Sequence, residues 1–380
     1  MKYRKFGKLG FNVSALGMGC MRLPTTDGIG YSPNVIEDGS IKLIRYSIDK
    51  GVNYLDTGYP YHGGKSEIVL GKALKDGYRN KVKVATKSPM MLVKQPEDFD
   101  SFLNEQLKRL QLEHIDFYLL HGIGRKSWKM IKDMDIIGKA EAAIKDGRIG
   151  HLGFSFHDDH SAFVEIIDGY DKWEFCQIQY NYMDTENQAG TKGLKYAASK
   201  GIPVVVMEPL LGGRLANPPK PILEIFKSYP KKLTPADWAL QWLWAQPEVT
   251  LVLSGMGSIE QVDENVSSAD RSALGSLTKD DMALLAKVKA KFLERAVIPC
   301  TKCNYCMPCP NGVHIPGNLD LYNNSAIYDD VNALKVVYLR FFNESNRASA
   351  CTGCKVCESK CPQKIKISEW MPKVHEKLKQ

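Results

Sequence analysis

Eight of the ten cysteines lie between Cys300 and Cys361. The first group reads Cys300-x₂-Cys303-x₂-Cys306-x₂-Cys309-Pro310, and the second Cys351-x₂-Cys354-x₂-Cys357-x₃-Cys361-Pro362. Clustered thiols in a chain without a secretion signal point to metal binding, because disulfides are rare in a reducing cytosol. Zinc needs only two C-x₂-C pairs per ion. That arrangement leaves unexplained a third cysteine two residues further on, in both groups. Three thiolates within seven residues can wrap one iron–sulfur cube, whose fourth iron a remote cysteine must reach. A second set of reactive residues lies far upstream. Asp56, Lys87 and His121 follow apolar runs, and Tyr61 sits in the Gly-rich loop after Asp56. A phenol with a pKa near 10 is a poor acid at neutral pH unless a cation assists it. Lys87, held by Asp56, would be that cation, and His121 would orient a carbonyl or share the proton. The plainer readings are a surface tyrosine in a loop and a hydrogen-bonded histidine at a strand end.

Those residues need a scaffold. Eight short apolar runs are candidate strands: 13–16, 52–55, 82–85, 115–120, 149–154, 176–180, 203–207 and 249–253. Helical stretches alternate with them, at 38–50, 96–110, 131–145, 191–200 and 234–245. This alternation predicts a parallel (β/α)₈ barrel. A doubly wound open sheet is the alternative, disfavoured because no G-x-G-x-x-G opens the first helix. In such a barrel chemistry gathers at the C-terminal strand ends. Asp56, Lys87, His121, Ser155, Gln177, Glu208 and Ser254 all stand there. A charged helix runs from about 277 to 294. We place a domain boundary near Arg295, with a barrel over 1–295 and a mainly helical metal-binding domain over 296–380. The 380 residues suit one barrel plus a small appendix. With 44% hydrophobic and 25% charged residues, the chain reads as soluble and globular. The net charge of +8 is spread out, which argues against nucleic-acid binding. No run is apolar enough for a membrane span, and a cytoplasmic protein is expected.

Gly-Val-Asn-Tyr-Leu-Asp-Thr-Gly at 51–58, Ala-Thr-Lys at 85–87, Leu-Leu-His at 119–121 and Gly-Phe-Ser at 153–155 resemble the aldo-keto reductases, as does Tyr-Arg-Lys-Phe-Gly-Lys-Leu-Gly-Phe-Asn-Val-Ser-Ala-Leu-Gly-Met-Gly at 3–19. The resemblance covers about residues 1–295. It implies a (β/α)₈ fold and reduction of a carbonyl by NAD(P)H. It makes Tyr61 the acid, Asp56 and Lys87 its pKa-lowering partners, and His121 the orienting residue. Ser155 and Gln177 match positions that hold the nicotinamide carboxamide. Phe156 stands where the family often has Asn, and Glu208 where an aromatic usually stacks on the ring. Leu210, Gly212, Gly213 and Arg214 match a pyrophosphate loop. Ser254, Glu264 and Asn265 match the adenosine-binding stretch. Gly255 and Gln261 occupy positions where Lys and Arg usually grip the 2′-phosphate of NADPH, so NAD is as plausible a cofactor as NADP.

The second cysteine group resembles the bacterial ferredoxin run, whose fourth cysteine serves the other cluster. By that likeness one [4Fe–4S] cluster uses Cys300, Cys303, Cys306 and Cys361. The other uses Cys351, Cys354, Cys357 and Cys309. The first group has x₂, not x₃, before its last cysteine, which strains Cys309 as a remote ligand. The long helical spacer resembles the all-helical ferredoxin module of electron-transfer subunits. The expected activity is an NAD(P)-dependent oxidoreductase acting on a small carbonyl or alcohol. Two clusters would transfer electrons, with a redox protein as a possible partner, or sense redox state. The alternatives are a nucleotide-binding sensor or docking protein with little turnover, and a reductase whose metal tail is only structural.

Overall fold

The computed structural model describes residues 1–379. A short hairpin opens the chain, β1 (Tyr3–Lys5) against β2 (Asn12–Ser14). Then follow β3 (Leu16–Gly19), α1 (Glu37–Asp49), β4 (Tyr54–Asp56), α2 (Lys65–Ala73), β5 (Lys83–Ser88), α3 (Glu97–Leu110) and β6 (Ile115–Ile123). After them come α4 (Arg125–Asp133), α5 (Ile136–Lys145), β7 (Ile149–Phe156), α6 (His160–Asp168), β8 (Phe175–Gln179), α7 (Gly190–Ser199) and β9 (Val204–Met207). The next elements are α8 (Lys220–Ser228), α9 (Pro235–Trp244), β10 (Val249–Ser254), α10 (Ile259–Asp270) and α11 (Lys279–Leu293). The tail holds α12 (Ile315–Ile327), α13 (Val331–Phe341), α14 (Val356–Ser359) and α15 (Ile367–Leu378).

Strands β3 to β10 pair in parallel and close, with β10 hydrogen-bonded to both β9 and β3. This is the (β/α)₈ barrel. Its strands are buried on both faces, so they read as unbroken apolar runs. Its helices bury one stripe each. Helix α3 buries Phe99, Leu103, Gln106 and Leu110, the spacing of a single helical face. Two sequence expectations shift. The run at 13–16 is two strands, divided at Ala15. Its first part belongs to the hairpin, and the barrel begins at Leu16. Phe6, carried by the hairpin, packs on Tyr54, Phe117 and Phe175, so the hairpin's apolar side joins the barrel core. The helix expected over 131–145 is broken. Asp135 adopts a left-handed conformation, φ 51°, and its carboxylate caps α5 through the Gly138 N–H.

The chain forms two compact units. One comprises 1–215 and 236–278 and holds the barrel strands. The other comprises 216–235 and 279–380, so α8 and α11 group with the tail. In the second unit Ile298, Leu319, Leu334, Tyr338, Ile367, Met371 and Val374 form an apolar core, against which several cysteines pack. Asn323 fixes the approach to Cys300. Its Oδ1 accepts from the Val297 and Ile298 N–H groups, and its Nδ2 donates to the Ile298 carbonyl at 2.7 Å. Among the described residues no helix is long and apolar enough to cross a membrane.

Candidate active site and cysteine sites

The barrel mouth is built from strand ends. Asp56 ends β4, Lys87 is the penultimate residue of β5, and His121 lies near the end of β6. Register brings β4 beside β5 and β5 beside β6. Lys87 is almost wholly buried. Its ammonium donates to Asp56 Oδ1 at 2.5 Å and to the Thr57 carbonyl at 2.6 Å. The same Nζ lies 4.8 Å from the centre of the Tyr61 ring. The His121 ring meets the Tyr61 ring edge-on, 5.8 Å between centres. Tyr61 sits in a short 3₁₀ turn, and Gly58 packs on its face. A Cβ on Gly58 would lie 3.1 Å from the phenol's Cζ. The four residues thus form one cluster, with Gly58 as a member that sequence reasoning missed.

Charge in this cluster is set by burial and by Lys87. Burial raises the Tyr61 phenol, Lys87 pulls it down, and Asp56 pushes it up again; the net direction is upward. Lys87 therefore moderates the phenol's pKa without lowering it below the ordinary value, and Tyr61 keeps its proton at neutral pH. Burial raises the Asp56 carboxyl against the pull of Lys87. Burial opposes the charge on Lys87, but Asp56 and Tyr61 together hold it above the usual lysine value. His121 is pushed down to about 3, first by burial and then by Lys87. A neutral imidazole carries one N–H and one acceptor nitrogen. Its Nδ1 is buried with no hydrogen-bond partner.

Gln177, on β8, reaches the cluster by donating to Asp56 Oδ2 at 3.2 Å, while its Oε1 is buried and unpartnered. Ser155 Oγ accepts from the Gly122 N–H at 2.7 Å. Glu208 has a left-handed backbone, φ 54°, and its carbonyl accepts from Asn181. The loop that follows is internally bonded. The N–H groups of Gly213 and Leu215 go to the Leu210 carbonyl, and Arg214 Nε goes to the Leu211 carbonyl. The resemblance matches this loop to a pyrophosphate site, whereas these groups are turned to the loop's own carbonyls. At the next strand end Asn265 Nδ2 donates to Ser254 Oγ at 2.8 Å, and Glu264 is exposed on α10. Gln261 bonds the Gly257 N–H. Arg22 is a further residue that sequence reasoning missed. Its stem packs where a side chain on Gly255 would lie, with Cβ and Cδ 3.2 Å from that position. Its guanidinium ends beside Gly212, 3.9 Å from the Glu208 carboxylate. The Met-Arg-Leu-Pro segment that holds it carries no sequence signal for that role.

In the second unit, Cys300, Cys303, Cys306 and Cys361 border one pocket, closed by Pro316, Leu319, Ile365 and Ile367. Cys357 lies near Cys351 and Cys309, and burial pushes its thiol up to about 11. All eight tail thiols are free, as are the buried Cys20 and Cys176. A donor set of four soft thiols around a shared space fits an iron–sulfur cube. Cys303 and Cys354 are the exposed members of the two sets.

Comparison with known proteins bears on both units. A model described as the aldo/keto reductase family matches residues 15–290. One described as a 4Fe-4S dicluster domain matches residues 299–365. L-galactose dehydrogenase of Arabidopsis thaliana is 31% identical over 310 residues, spanning 75% of this chain and 92% of that protein. A probable aldo-keto reductase of Glycine max is 25% identical over 299 residues, 70% of this chain and 83% of that one. Among solved structures, an aldo-keto reductase from Bacillus halodurans in its holo form is similar with TM-score 0.61 and 26% identity, covering 76% of this chain and 96% of that one.

The chain belongs to the aldo/keto reductase family. It carries a 4Fe-4S dicluster domain after the barrel. Members of the aldo/keto reductase family are oxidoreductases that act on small carbonyl compounds. Two outcomes follow from the barrel geometry. Gly58→Ala should lower the kcat for carbonyl reduction about tenfold, because the Tyr61 ring must give way by a fraction of the ångström whose misplacement costs about 10²-fold. Circular dichroism and the melting temperature should stay near wild type; unchanged kcat would show that the Gly58 contact is idle. The second concerns pH. The folded-state pKa of His121 lies below its unfolded value near 6.5, so the unfolded state binds the extra proton. Stability should therefore fall as pH drops from 6.5 toward 3, by at most about 1.4 kcal/mol per pH unit. Denaturant midpoints of wild type and His121→Gln between pH 6.5 and 4.5 should converge on acidification. Parallel curves would refute the assignment.

Proposed function

We propose that the protein is an NAD(P)H-dependent oxidoreductase that interconverts a small carbonyl compound and its alcohol. Residues 1–295 carry that chemistry, and residues 296–380 carry two [4Fe–4S] clusters. The observation that supports it most is the buried Lys87 ammonium, bonded to Asp56 and set beside the Tyr61 ring. The nicotinamide, when bound, supplies the hydride. Tyr61 donates its proton to the substrate oxygen as that oxygen becomes basic. The phenolate left behind is stabilised by the Lys87 ammonium, and Asp56 keeps that ammonium charged. Neutral His121 points one ring nitrogen at the same oxygen and fixes the carbonyl's orientation. Ser155 and Gln177 hold the carboxamide; the unpartnered Gln177 Oε1 is an acceptor for its N–H.

Ser254, Glu264 and Asn265 take the adenosine end, Leu210, Gly212, Gly213 and Arg214 line the pyrophosphate, and Glu208 stands at the nicotinamide ring. Gly255 and Gln261 bring no cation to a 2′-phosphate. Each charge-assisted contact is worth about 1.5–3 kcal/mol, so NADH should serve about as well as NADPH. The free thiols suit a reducing compartment, and we place the protein in the cytoplasm.

Each cluster, when bound, stores one electron at a time. Cys300, Cys303, Cys306 and Cys361 hold one, and Cys351, Cys354, Cys357 and Cys309 hold the other. Clusters bound there would supply one-electron transfer with a redox protein, or redox sensing, separate from the two-electron hydride transfer at the barrel mouth. A second reading has its own support. Several of the cysteines pack on the apolar core of their unit, so the clusters also complete that core.

Tyr61→Phe should cut kcat by about 10²–10⁴-fold while leaving nucleotide binding intact. Carbonyl reduction at the wild-type rate would remove the catalytic reading and leave a nucleotide-binding sensor. Anaerobically purified protein should hold about eight irons and eight sulfides per chain and give two interacting EPR signals on reduction. Stoichiometric zinc without sulfide would end the cluster proposal.

A further inference from the structure

Asn311 stands two residues after Cys309, yet its carboxamide reaches the other cysteine group. Its Nδ2 donates to Thr352 Oγ1 at 2.9 Å and is directed at Cys354 Sγ at 3.9 Å, a long N–H···S contact. The two partners lie 41 and 43 residues further along the chain. One amide therefore ties the Cys309 loop to the Cys351–Cys354 loop and aims an N–H at a thiol. Main-chain donors are shared by both sets; the Lys302 N–H, for instance, is turned to Cys300. The pocket around Cys300, Cys303, Cys306 and Cys361 has different neighbours, with Thr301, Lys302, Asn304 and Gln363 beside Pro316, Leu319, Ile365 and Ile367. The two sets are therefore not equivalent.

We propose that Asn311 is a positioning residue that raises the reduction potential of the cluster held by Cys351, Cys354, Cys357 and Cys309. The proposal rests on the reading of the tail as a two-cluster domain. Hydrogen bonds to cluster sulfurs are among the determinants of potential. When a cluster gains one electron, negative charge on its thiolate ligands grows. An N–H aimed at one of them then binds more strongly, and the reduced form is favoured. Cys354 is exposed, and Thr352 holds the carboxamide in place. Asn311 also restrains Cys309, the ligand that follows the shorter x₂ spacing.

The test is an anaerobic redox titration of the full-length protein with dithionite, followed by EPR, alongside iron and sulfide analysis. In Asn311→Leu one of the two couples should become about tenfold harder to reduce relative to the other, about 59 mV for a one-electron couple. The other couple should not move. Asn311→Asp keeps a partner for the Thr352 hydroxyl and so preserves the tie between the loops, but it has no N–H for the sulfur. It should show a fall at least as large in the same couple. Unchanged potentials in both variants, at full iron content, would overturn the proposal, as would equal shifts of the two couples. Wild-type protein that binds no iron and sulfide would instead overturn the cluster reading on which the proposal stands.

Discussion

The polar cluster at the barrel mouth is organised around one buried cation. Lys87 has lost nearly all contact with water, and that is expensive for an ammonium unless charge and hydrogen bonds replace the solvent. Asp56 supplies the charge and the Thr57 carbonyl a further acceptor. Such a pair is a poor stabilising device, because two apolar residues of similar volume often serve as well or better. Its use is electrostatic: a fixed positive charge held beside a phenol, in surroundings where water does not screen it. Every neighbour responds to that charge. It pulls the Tyr61 phenol down against burial, and it adds to the burial that keeps His121 neutral.

Holding Lys87 in place takes a second layer behind β5. Glu67 is buried on α2 and accepts from Thr86 at 2.7 Å and from Gln106 at 2.6 Å. Arg109 supplies its countercharge at 3.2 Å. Gln106 also donates to the Lys87 carbonyl, and Tyr118 donates to Gln106 Oε1. The polar network therefore links α2, α3, β5 and β6 around the strand that carries the cation. Polar networks of this kind stabilise only when their members are satisfied. Here the carboxylate, amide and guanidinium answer one another.

Much of this was legible in the sequence, and the exceptions have physical causes. Strand ends showed Asp56, Lys87 and His121 because a polar residue closing an apolar run is visible without coordinates. The division at Ala15 was hidden, since the buried stretch runs unbroken from Val13 to Met18 across both strands. Glu67, Gln106 and Arg109 look like ordinary surface residues of amphipathic helices, and only tertiary packing buries them. Arg22 and Gly58 were missed for a related reason. What matters in each is a contact made across the chain, Arg22 with Gly255 and Gly58 with the Tyr61 face. The cysteines announced themselves by spacing. Asn311 and Asn323 did not, because an asparagine that ties two loops has no local signature.

Interleaving in the tail has a consequence for how it forms. Cys361, from the last cysteine group, borders the same pocket as Cys300, Cys303 and Cys306. Cys309, from the first group, lies by Cys357 and Cys351. Although each group has four cysteines, its fourth lies with the other group's thiols. Each set requires that α12 and α13 already return the chain, and the apolar core between them provides that return. Metal binding that needs a folded arrangement adds its free energy to folding. On the two-cluster proposal, loading either set would stabilise the loop that supplies a ligand to the other, and the Asn311 tie between those loops would work in the same direction. Each thiol set thus depends on the same return of the chain that brings the other together, although their surroundings differ.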